Sequence, residues 1–462
     1  MSDTGPKLLT RSPLGAVAGL GTPLALAAVF QFAFNLVEVW IFGQVGDGGA
    51  SLAGAAASDI VTGIFALLAN GLGNAAVAEI SYCHGAGDLR GEQRHARQAL
   101  VLGAILSLLS AVVGILADPI GGLVMAEGAT RAEGTAFLRI MAIGGFGTIY
   151  IAFTIAILRA RGDSVRPLAL VALMSVATLA LEAVYVLGLF GVEPGGVVAA
   201  GWITVILRGA TAIVAIWLIA RGLSLKPPPG ERFIVWSALR HQLRLGLTSA
   251  LQQSTRLVGF LILLAIVAAR FSGPEGNPTY TAVNVWIKLD LPTIILAFAW
   301  GGGVAPIVGM ALGAGRRRYA RKAAWSGVGC VVGTSFVTMT IMLLFAAALA
   351  AAFIPDDPAA VALTDTLYQY AAPVYAFFTT GIVISMAYNG AGNMRAPLIW
   401  DVAVILGVQS VVAFVLARPD GLGVDGVGVA IVVSAILQGL VPGAMLKWFA
   451  PWGERGRMQP GD

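Results

Sequence analysis

Residues 31–46 read QFAFNLVEVWIFGQVG and place one carboxylate, Glu38, inside a long apolar run. Glu38 is the only ionisable side chain in residues 14–45, and that run is longer than the about 20 apolar residues that cross a bilayer. An ionisable group at that depth must face a bundle interior or an aqueous cavity, so it indicates a functional site. Gln31 and Asn35 precede Glu38 by seven and three residues, which predicts one polar stripe on a helix.

The composition is that of a membrane protein. Hydrophobic residues make up 58% of the chain and charged residues 11%, and the mean hydropathy is +0.84, which excludes a soluble globule. The net charge of +5 does not indicate nucleic-acid binding, because the basic residues lie in short loops between apolar runs. Cys83, Cys330 and the histidines His84, His95 and His241 show no disulfide or zinc spacing, so we expect no metal site and no cofactor.

The apolar runs predict an all-α polytopic membrane protein with 12 transmembrane helices. The predicted spans are 14–45, 52–84, 97–117, 134–158, 167–190, 196–220, 236–270, 279–312, 320–353, 366–390, 397–417 and 427–448. Between the sixth and seventh spans the stretch LKPPPGER contains three prolines, which a continuing helix does not tolerate. The predicted organisation is an N-terminal tail 1–13, a six-helix lobe 14–221, a linker 222–235, a second six-helix lobe 236–450 and a tail 451–462.

The placement of charge predicts the orientation in the membrane. Alternate loops are basic, and the loops between them lean acidic. The basic set comprises Arg90, Arg94, Arg97, Arg159, Arg161, Arg166, Arg221, Lys226, Arg232, Arg316, Arg317, Arg318, Arg321, Lys322, Arg395, Lys447, Arg455 and Arg457, and the acidic set Asp47, Asp118, Glu127, Glu193, Glu275, Asp356, Asp357, Asp420 and Asp425. By the positive-inside rule both termini are expected to be cytoplasmic, in a plasma (inner) membrane.

An internal repeat relates the two halves of the chain. GAG at 85–87 recurs at 313–315, each time closing the second helix of its half before a basic segment. GDSVRPL at 162–168 recurs as GNMRAPL at 392–398, and GVVAAGWITVILRG from residue 196 recurs as GVGVAIVVSAILQG from residue 426, both 230 residues apart. Both halves start on the cytoplasmic side, so the repeat is expected to be parallel.

In sequence these stretches resemble the multidrug and toxic compound extrusion (MATE) family, nearer its DinF-type branch, within the multidrug/oligosaccharidyl-lipid/polysaccharide flippase superfamily. The resemblance covers nearly the whole chain and is carried by NLVEVWIFGQVG at 35–46, GAG at 85–87, LRARGDSVRPL at 158–168, VEPGGVVAAG at 192–201 and VAPIVGMALGAG at 304–315. It implies two pseudo-symmetric six-helix lobes that form a V around a central cavity. It also implies export of toxic organic compounds by cation antiport with alternating access.

The resemblance also implies where the coupling cation binds. The first-helix acid of the family falls on Glu38, and the helix-5 pattern N-x-x-L-D of the DinF-type branch reads TLALE here, with Thr178 and Glu182 at its polar positions. The helix-6 threonine of that branch falls on Thr204. Both acids are one methylene longer than the family's aspartates. Proton coupling is therefore expected at these four residues with Asn35, while sodium in the N-terminal lobe stays open.

The depth of the two acids supports their pairing. Glu38 lies nine residues before Asp47 and Glu182 eleven before Glu193, so both are roughly 14 to 17 Å below the outer loops at 1.5 Å per residue. Burial and a neighbouring carboxylate both disfavour the anion, so one of the pair could take up and release a proton in each cycle. The alternative is that the two acids only hold helices together through hydrogen bonds.

The C-terminal lobe departs from the family pattern. The helix-7 glutamate of NorM-type members falls on Arg256, and residues 367–392 contain no acid, so we do not expect a sodium site there. The family's helix-8 R-x-E pattern looks like Lys288 and Asp290. With Asn284 and Arg256 these residues are candidates for a second polar network, with either a structural role or a role in substrate binding or coupling.

The remaining membrane-embedded charges are interpreted as structural. Arg208 is expected, like Arg256, in an ion pair or at an interface, and Asp59, Glu79 and Asp401 near interfaces or at helix caps.

We expect a monomer in the lipid bilayer whose substrates are small, amphipathic and often cationic organic compounds. Ring faces and apolar walls hold such molecules. The candidates for lining the substrate cavity are Gln31, Phe34, Phe153, Tyr185 and Trp286.

Two alternative functions would place different demands on the sequence. A lipid-linked oligosaccharide flippase of the same superfamily would use several cations facing the cavity to bind a pyrophosphate, and Arg256, Lys288 and Arg208 keep this alternative open. A membrane enzyme would need an acidic metal cluster or a nucleophile constellation. The sequence contains no DxxxD, HExxH or GxSxG arrangement, so we predict no enzymatic activity.

Overall fold

The computed structural model describes residues 5–43, 49–125, 127–271, 278–418 and 421–448. These residues form helices joined by short loops, and no strand occurs among them, which confirms the predicted all-α class. Of the predicted loop and tail features, Asp47, Glu275, Asp420, residues 1–4 and the tail 451–462 lie outside the described residues.

The helices follow one another with few long connections. In chain order they are α1 Gly5–Leu8, α2 Pro13–Gly43, α3 Gly49–Ala86, α4 Leu89–Ile115, α5 Ala117–Val124, α6 Ala129–Ile143, α7 Phe146–Ala160, α8 Val165–Tyr185, α9 Gly196–Gly222, α10 Trp236–Arg270, α11 Pro278–Gly313, α12 Arg317–Phe353, α13 Pro358–Ala371, α14 Tyr375–Gly390, α15 Arg395–Asp401, α16 Ser410–Leu416 and α17 Val424–Trp448. A 3₁₀ turn covers Leu189–Gly191, and a π-helical segment, Val402–Gln409, joins α15 to α16.

The described helices account for the predicted membrane spans. Ten are long and apolar enough to cross a bilayer, and the number rises to 12 if each of two bent helix pairs is one span. The bent pairs are α6 with α7, at 44°, and α13 with α14, at 64°. These pairs take equivalent places in the two halves of the repeat. The helix is interrupted at Gly144 and Gly145 in the first pair and around Pro373 in the second. Glycine and proline both disfavour a continuous helix.

The repeated GAG motifs end their helices in the same way. Gly87 and Gly315 adopt left-handed φ angles of 73° and 72°. The amide of Asp88 donates to the carbonyl of Cys83 at 2.9 Å, and the amide of Arg316 to that of Ala311 at 2.7 Å. This is the Schellman arrangement, in which the left-handed residue is usually glycine. The two copies of the sequence repeat therefore build the same local structure.

The chain forms two compact units. The first unit comprises Met1–Leu8 and Leu26–Ala250, and the second comprises Leu9–Ala25 and Leu251–Asp462. Helices α2 and α10 are thus each divided between the units, after Ala25 and after Ala250, two positions 225 residues apart. The predicted lobes, which place 14–25 in the N-terminal lobe and 236–250 in the C-terminal one, are drawn differently and stay a prediction.

Small residues allow the first half of α2 to pack closely in the second unit and the first half of α10 to pack closely in the first unit. In the second unit a Cβ added to Gly303 of α11 would lie 2.9 Å from the Cα of Gly21 of α2. In the first unit a Cβ at Gly71 of α3 would lie 2.7 Å from the Cα of Ala250 of α10. Real Cβ atoms do not come that close, so glycine is required at both contacts.

The linker between α9 and α10 is non-helical and is held against the first unit. Glu231 accepts hydrogen bonds from Arg94 at 2.9 Å and from Arg97 at 2.6 Å. Gln98 donates to the carbonyl of Phe233 at 3.0 Å and accepts from the amide of Val235 at 3.3 Å. The hydrogen bond from Arg94, with the charges of both arginines, lowers the pKa of the Glu231 carboxyl, so the carboxylate is charged and the clamp intact at neutral pH.

Candidate functional site

The first unit contains a cavity of about 420 Å³ with charged walls. Its volume falls in the range of pockets that hold small organic molecules. Its wall is formed by Asn35, Glu38, Ala55, Ala56, Asp59, Thr62, Gly63, Phe65, Ala66, Ser110, Phe137, Met141, Gly145, Thr148, Ile149 and Arg208. Three ionisable groups therefore share one space: two carboxylates, from α2 and α3, and one guanidinium, from α9.

The polar stripe of α2 reaches this cavity. Asn35 and Glu38 lie three residues apart and both line the wall, as helical spacing requires. The Nε2 of Gln31 donates to the Oδ1 of Asn35 at 3.1 Å, which holds the Asn35 amide in place one turn from Glu38. Gln31 itself is outside the lining. Glu38 thus lines a cavity inside the helix bundle. Its role in coupling stays a prediction.

Arg208 extends from the middle of α9 into the same cavity. Its Nη1 donates to the hydroxyl of Thr148 on α7 at 3.1 Å. Among the described residues no carboxylate lies at ion-pair distance from this guanidinium. A guanidinium carries five N–H donors, so one neutral acceptor leaves most of them to water or to a bound molecule.

Glu182, the predicted partner of Glu38, lies close to the cavity but outside its lining. The side chain is fully buried, at 0% exposure, and neither carboxylate oxygen has a hydrogen-bond partner among the described residues. Its charge interacts electrostatically with those of Glu38 and Arg208, and the charge of Asp59 also interacts with both. Three acids and one guanidinium thus form a single electrostatic cluster in the first unit.

The two predicted threonines do not reach the cavity wall. The Thr178 hydroxyl donates to the carbonyl of Met174 in its own helix at 2.9 Å. Thr204 is buried in α9. Their expected part in cation coupling stays a prediction that rests on the resemblance.

The predicted substrate-cavity residues are dispersed. Phe153 has 0% exposure and packs in a core cluster with Ile149 and Ile157, so its prediction as a cavity residue is wrong. Its apolar ring fills space between α4 and α7, where Gly103 leaves room for it. Phe34 is half-buried and Tyr185 is exposed, and neither lines the first unit's cavity.

The second unit has a different buried polar network, centred on Arg256. The Arg256 Nη2 lies 3.1 Å from the Oδ2 of Asp401, and both side chains are buried. Gln252 donates to the same Asp401 oxygen at 3.0 Å, and its Oε1 accepts from Asn389 at 3.4 Å. Arg256 also donates to the Ser385 hydroxyl at 3.4 Å. The guanidinium is neutralised in place, as the ion-pair interpretation of Arg256 anticipates.

The predicted four-residue network of the C-terminal lobe is not formed as a unit. Asp290 is buried and accepts from the hydroxyl of Tyr368 at 3.3 Å, while Lys288 on the same helix is exposed. Two residues apart on a straight helix, they point to different sides. Asn284 is half-buried, and Arg256 pairs with Asp401 instead. The network prediction is therefore corrected to two separate pairs.

Trp286 lies on the wall of a small cavity in the second unit. This cavity has a volume of about 30 Å³, and its wall includes Arg256, Phe260, Tyr375 and Phe378. Such a volume holds only one or a few water molecules. The predicted place of Trp286 on a cavity wall agrees with this, but the space is too small for an organic substrate.

Two acids have surroundings that the sequence did not predict. Asp59, expected near a helix end, lines the first unit's cavity, and Asp401, also expected at an interface or cap, is the fully buried partner of Arg256. The signal that could have found both is the one applied to Glu38, namely a carboxylate within an apolar span. Among the described residues no group of three His, Cys, Asp or Glu side chains could hold a metal ion.

The chain is similar to known transporters along most of its length. The MatE family model matches residues 23–184 and 249–415. The "Probable multidrug resistance protein NorM" of Thermotoga maritima is 22% identical over 340 residues, which is 74% of this chain and 71% of that protein. The "Multidrug resistance protein PmpM" of Pseudomonas aeruginosa is 23% identical over 425 residues, covering 89% and 86% of the two chains.

Solved structures share the fold. An outward-facing multidrug resistance MATE family transporter superposes with a TM-score of 0.85 at 20% identity, covering 97% of each chain. A MOP superfamily transporter from Pyrococcus furiosus gives a TM-score of 0.86 at 21% identity, covering 97% of this chain and 98% of that one. At such identities the likeness shows the fold. The placement nearer the DinF-type branch stays a prediction.

Proposed function

Because the chain belongs to the MatE family and is therefore a multi-pass membrane transporter rather than an enzyme, we propose that it is a secondary active exporter of small organic compounds driven by proton antiport. The names of its relatives as multidrug resistance proteins support the class of substrate. The observation that carries the proposal is the first unit's cavity, which has the carboxylates of Glu38 and Asp59 on its wall.

The proposed coupling step is competition for the Glu38 carboxylate. A carboxylate in a low-dielectric space costs much less free energy when it is protonated or paired with a cation. The neighbouring charges of Asp59 and Glu182 make a second or third anion still more costly, so the cluster favours binding one positive charge. A proton and a cationic substrate are thus alternatives at one site.

Transport follows if the two alternatives stabilise different conformations. Protonation of Glu38 removes its attraction for a cationic substrate, and loss of the proton restores it. A ligand shifts a conformational equilibrium only by its differential affinity for the two states, so coupling requires that proton and substrate prefer opposite ones. We propose that the proton enters from outside and that substrate leaves in exchange, in a monomer of the plasma (inner) membrane with both termini cytoplasmic.

The flippase hypothesis is weakened because Arg256 is already neutralised. The hypothesis rested on Arg256, Lys288 and Arg208 facing one cavity for a pyrophosphate. Arg256 forms an ion pair with Asp401, and Lys288 lines neither the cavity of Arg208 nor that of Arg256. Cells that express the protein should therefore tolerate cationic dyes, whereas a flippase would rescue an envelope defect.

The proposal is tested by dye transport in proteoliposomes with an imposed pH gradient, with ethidium as the probe. We expect Glu38→Gln and Glu182→Gln to lose gradient-driven transport. The matched control is Glu127→Gln, since Glu127 is exposed and takes part only in a surface ion pair with Arg131 at 3.6 Å. Transport by the two variants with undiminished dependence on the pH gradient would refute the proposal.

A further inference from the structure

Arg256 and Arg208 each line a cavity, but the surroundings of the two guanidiniums differ. In the second unit Arg256 has Asp401 as an ion-pair partner, and the space around it is about 30 Å³. In the first unit the Thr148 hydroxyl is the one hydrogen-bond acceptor that the described residues offer Arg208, and the cavity beside it is about 420 Å³. Arg256 and Asp401 form a buried ion pair with little space around it, whereas Arg208 lies on the wall of a cavity large enough for a ligand.

The fold itself does not require the positive charge of Arg208. The repeat aligns GWITVILRG at 201–209 with IVVSAILQG at 431–439, so that Gln438 takes the place of Arg208 in the second half. Gln438 is buried in α17, which builds the corresponding helix without a charge there. The charge of Arg208 is therefore specific to the first unit, and we look for its reason in function rather than in the fold.

The cavity also separates its charges of opposite sign. Among the described residues, neither Glu38 nor Asp59 lies at ion-pair distance from Arg208, although all three side chains line the same space. Unpaired charges in an apolar bundle are costly, and that cost falls when a bound molecule supplies the missing partners. A molecule with only a positive charge would satisfy the carboxylates and leave the guanidinium without an anion.

We propose that the first unit's cavity selects organic substrates that carry both a cationic group and a carboxylate. The cationic group pairs with Glu38 or Asp59, and the carboxylate of the substrate accepts hydrogen bonds from Arg208. The planar fork of a guanidinium matches a carboxylate in a bidentate manner, which a lysine or an amide cannot do. This inference rests on the proposed export function and adds to it the class of substrate.

Arg208 then acts as a selectivity residue in the transport cycle. A purely cationic compound meets attraction from the acids and repulsion from Arg208, while a zwitterion meets attraction at both of its ends. Protonation of Glu38 removes one of the two carboxylates that attract the cationic end of the substrate. The proton therefore weakens binding of the zwitterion, as the proposed coupling requires.

A matched pair of dyes tests the proposal. Rhodamine 110 carries a free carboxylate, and rhodamine 123 is its methyl ester with the same cationic fluorophore. Export of both is measured in proteoliposomes with an imposed pH gradient, and binding of both is measured by fluorescence polarisation with the purified protein. We expect the wild-type protein to prefer the free acid over the ester.

Arg208→Gln installs the residue that the repeat already uses at this place. We expect it to lower the ratio of free-acid to ester transport, and of free-acid to ester binding, by about tenfold or more, the loss that follows removal of a hydrogen bond to a charged group. Arg208→Lys should retain part of the preference, because it keeps the charge and loses the fork. Arg139→Gln, which changes an exposed arginine outside the cavity, is the control and should leave the ratio unchanged.

The outcomes separate the inference from the function on which it rests. An unchanged ratio in Arg208→Gln, or an equal loss of both dyes, would assign Arg208 a structural role and overturn the inference. Wild-type export of the ester without the acid would overturn the inference and leave the export function standing. Wild-type protein that moves neither dye under the gradient would count against the export function and the inference together.

Discussion

The buried pair Arg256–Asp401 allows a quantitative prediction for the second unit. The two charged atoms lie 3.1 Å apart, and the side chains are 8% and 0% exposed. With an effective dielectric constant of about 20, the attraction at that distance is about 5 kcal/mol. Much of this is offset by the free energy of removing both charges from water, but that cost is not recovered when only one partner is removed.

We therefore expect Arg256→Met to lower the free energy of unfolding by about 3 to 5 kcal/mol, because Asp401 is left buried without its cationic partner, with hydrogen bonds from neutral side chains such as Gln252. Arg256→Met combined with Asp401→Asn should recover most of that loss, since the asparagine is neutral and its Oδ1 can still accept from Gln252. The measurement is reversible denaturant unfolding of the purified protein, followed by tryptophan fluorescence, as a double-mutant cycle.

An exposed pair in the first unit serves as the control. Arg139 and Asp118 lie 2.6 Å apart with exposures of 44% and 73%. Because solvent screens such pairs, Arg139→Met should cost less than about 1 kcal/mol despite the shorter distance. If Arg256→Met and Arg139→Met lower the unfolding free energy equally, burial does not determine the strength of these pairs and the reasoning fails.

Two further changes test the fold. Glu231→Gln removes the carboxylate that holds the linker, so trypsin should cleave after Arg232 faster than in the wild-type protein. Glu193→Gln, at an exposed loop position, is the control. Equal cleavage rates in Glu231→Gln and wild type would contradict the role of Glu231. Gly303→Ala should destabilise the protein by about 1 to 3 kcal/mol, because the new Cβ would lie 2.9 Å from backbone atoms. Gly333→Ala, whose Cβ would have no atom within 4 Å, should stabilise the protein by about 0.5 to 1 kcal/mol. Thermal unfolding that ranks the two variants in the reverse order would refute the close approach at Gly303.

The sequence predicted the spans because each is a long apolar run. It predicted the repeat because GDSVRPL and the helix-6 stretch both recur 230 residues further on, with GAG recurring at nearly the same spacing. It did not predict that α6 with α7 and α13 with α14 are bent pairs, because both breaks occur within runs that remain apolar. Nor could it predict that α2 and α10 are each divided between the units. That division depends on close packing against distant helices, which local sequence does not report.

The candidate site was predictable in part. Glu38 was found because a lone carboxylate in an apolar span is conspicuous, and spacing along one helix added Asn35. The pairing of Arg256 with Asp401 was missed because these residues are 145 positions apart and their contact depends on how two helices are rotated. Phe153 was assigned to a cavity because an aromatic ring suits a cavity wall as well as a core. Only the burial of the side chain in the folded protein distinguishes the two roles.

The competition between proton and substrate at Glu38 is tested most directly by proton release on binding. Tetraphenylphosphonium, a permanent organic cation, is added to the purified protein in weakly buffered detergent solution, and the released protons and the bound cation are measured together. We predict release of about one proton for each cation bound by the wild-type protein, since both use one site. A Glu38→Gln, Glu182→Gln double variant should release none. Binding by the wild-type protein without proton release would contradict the proposed coupling.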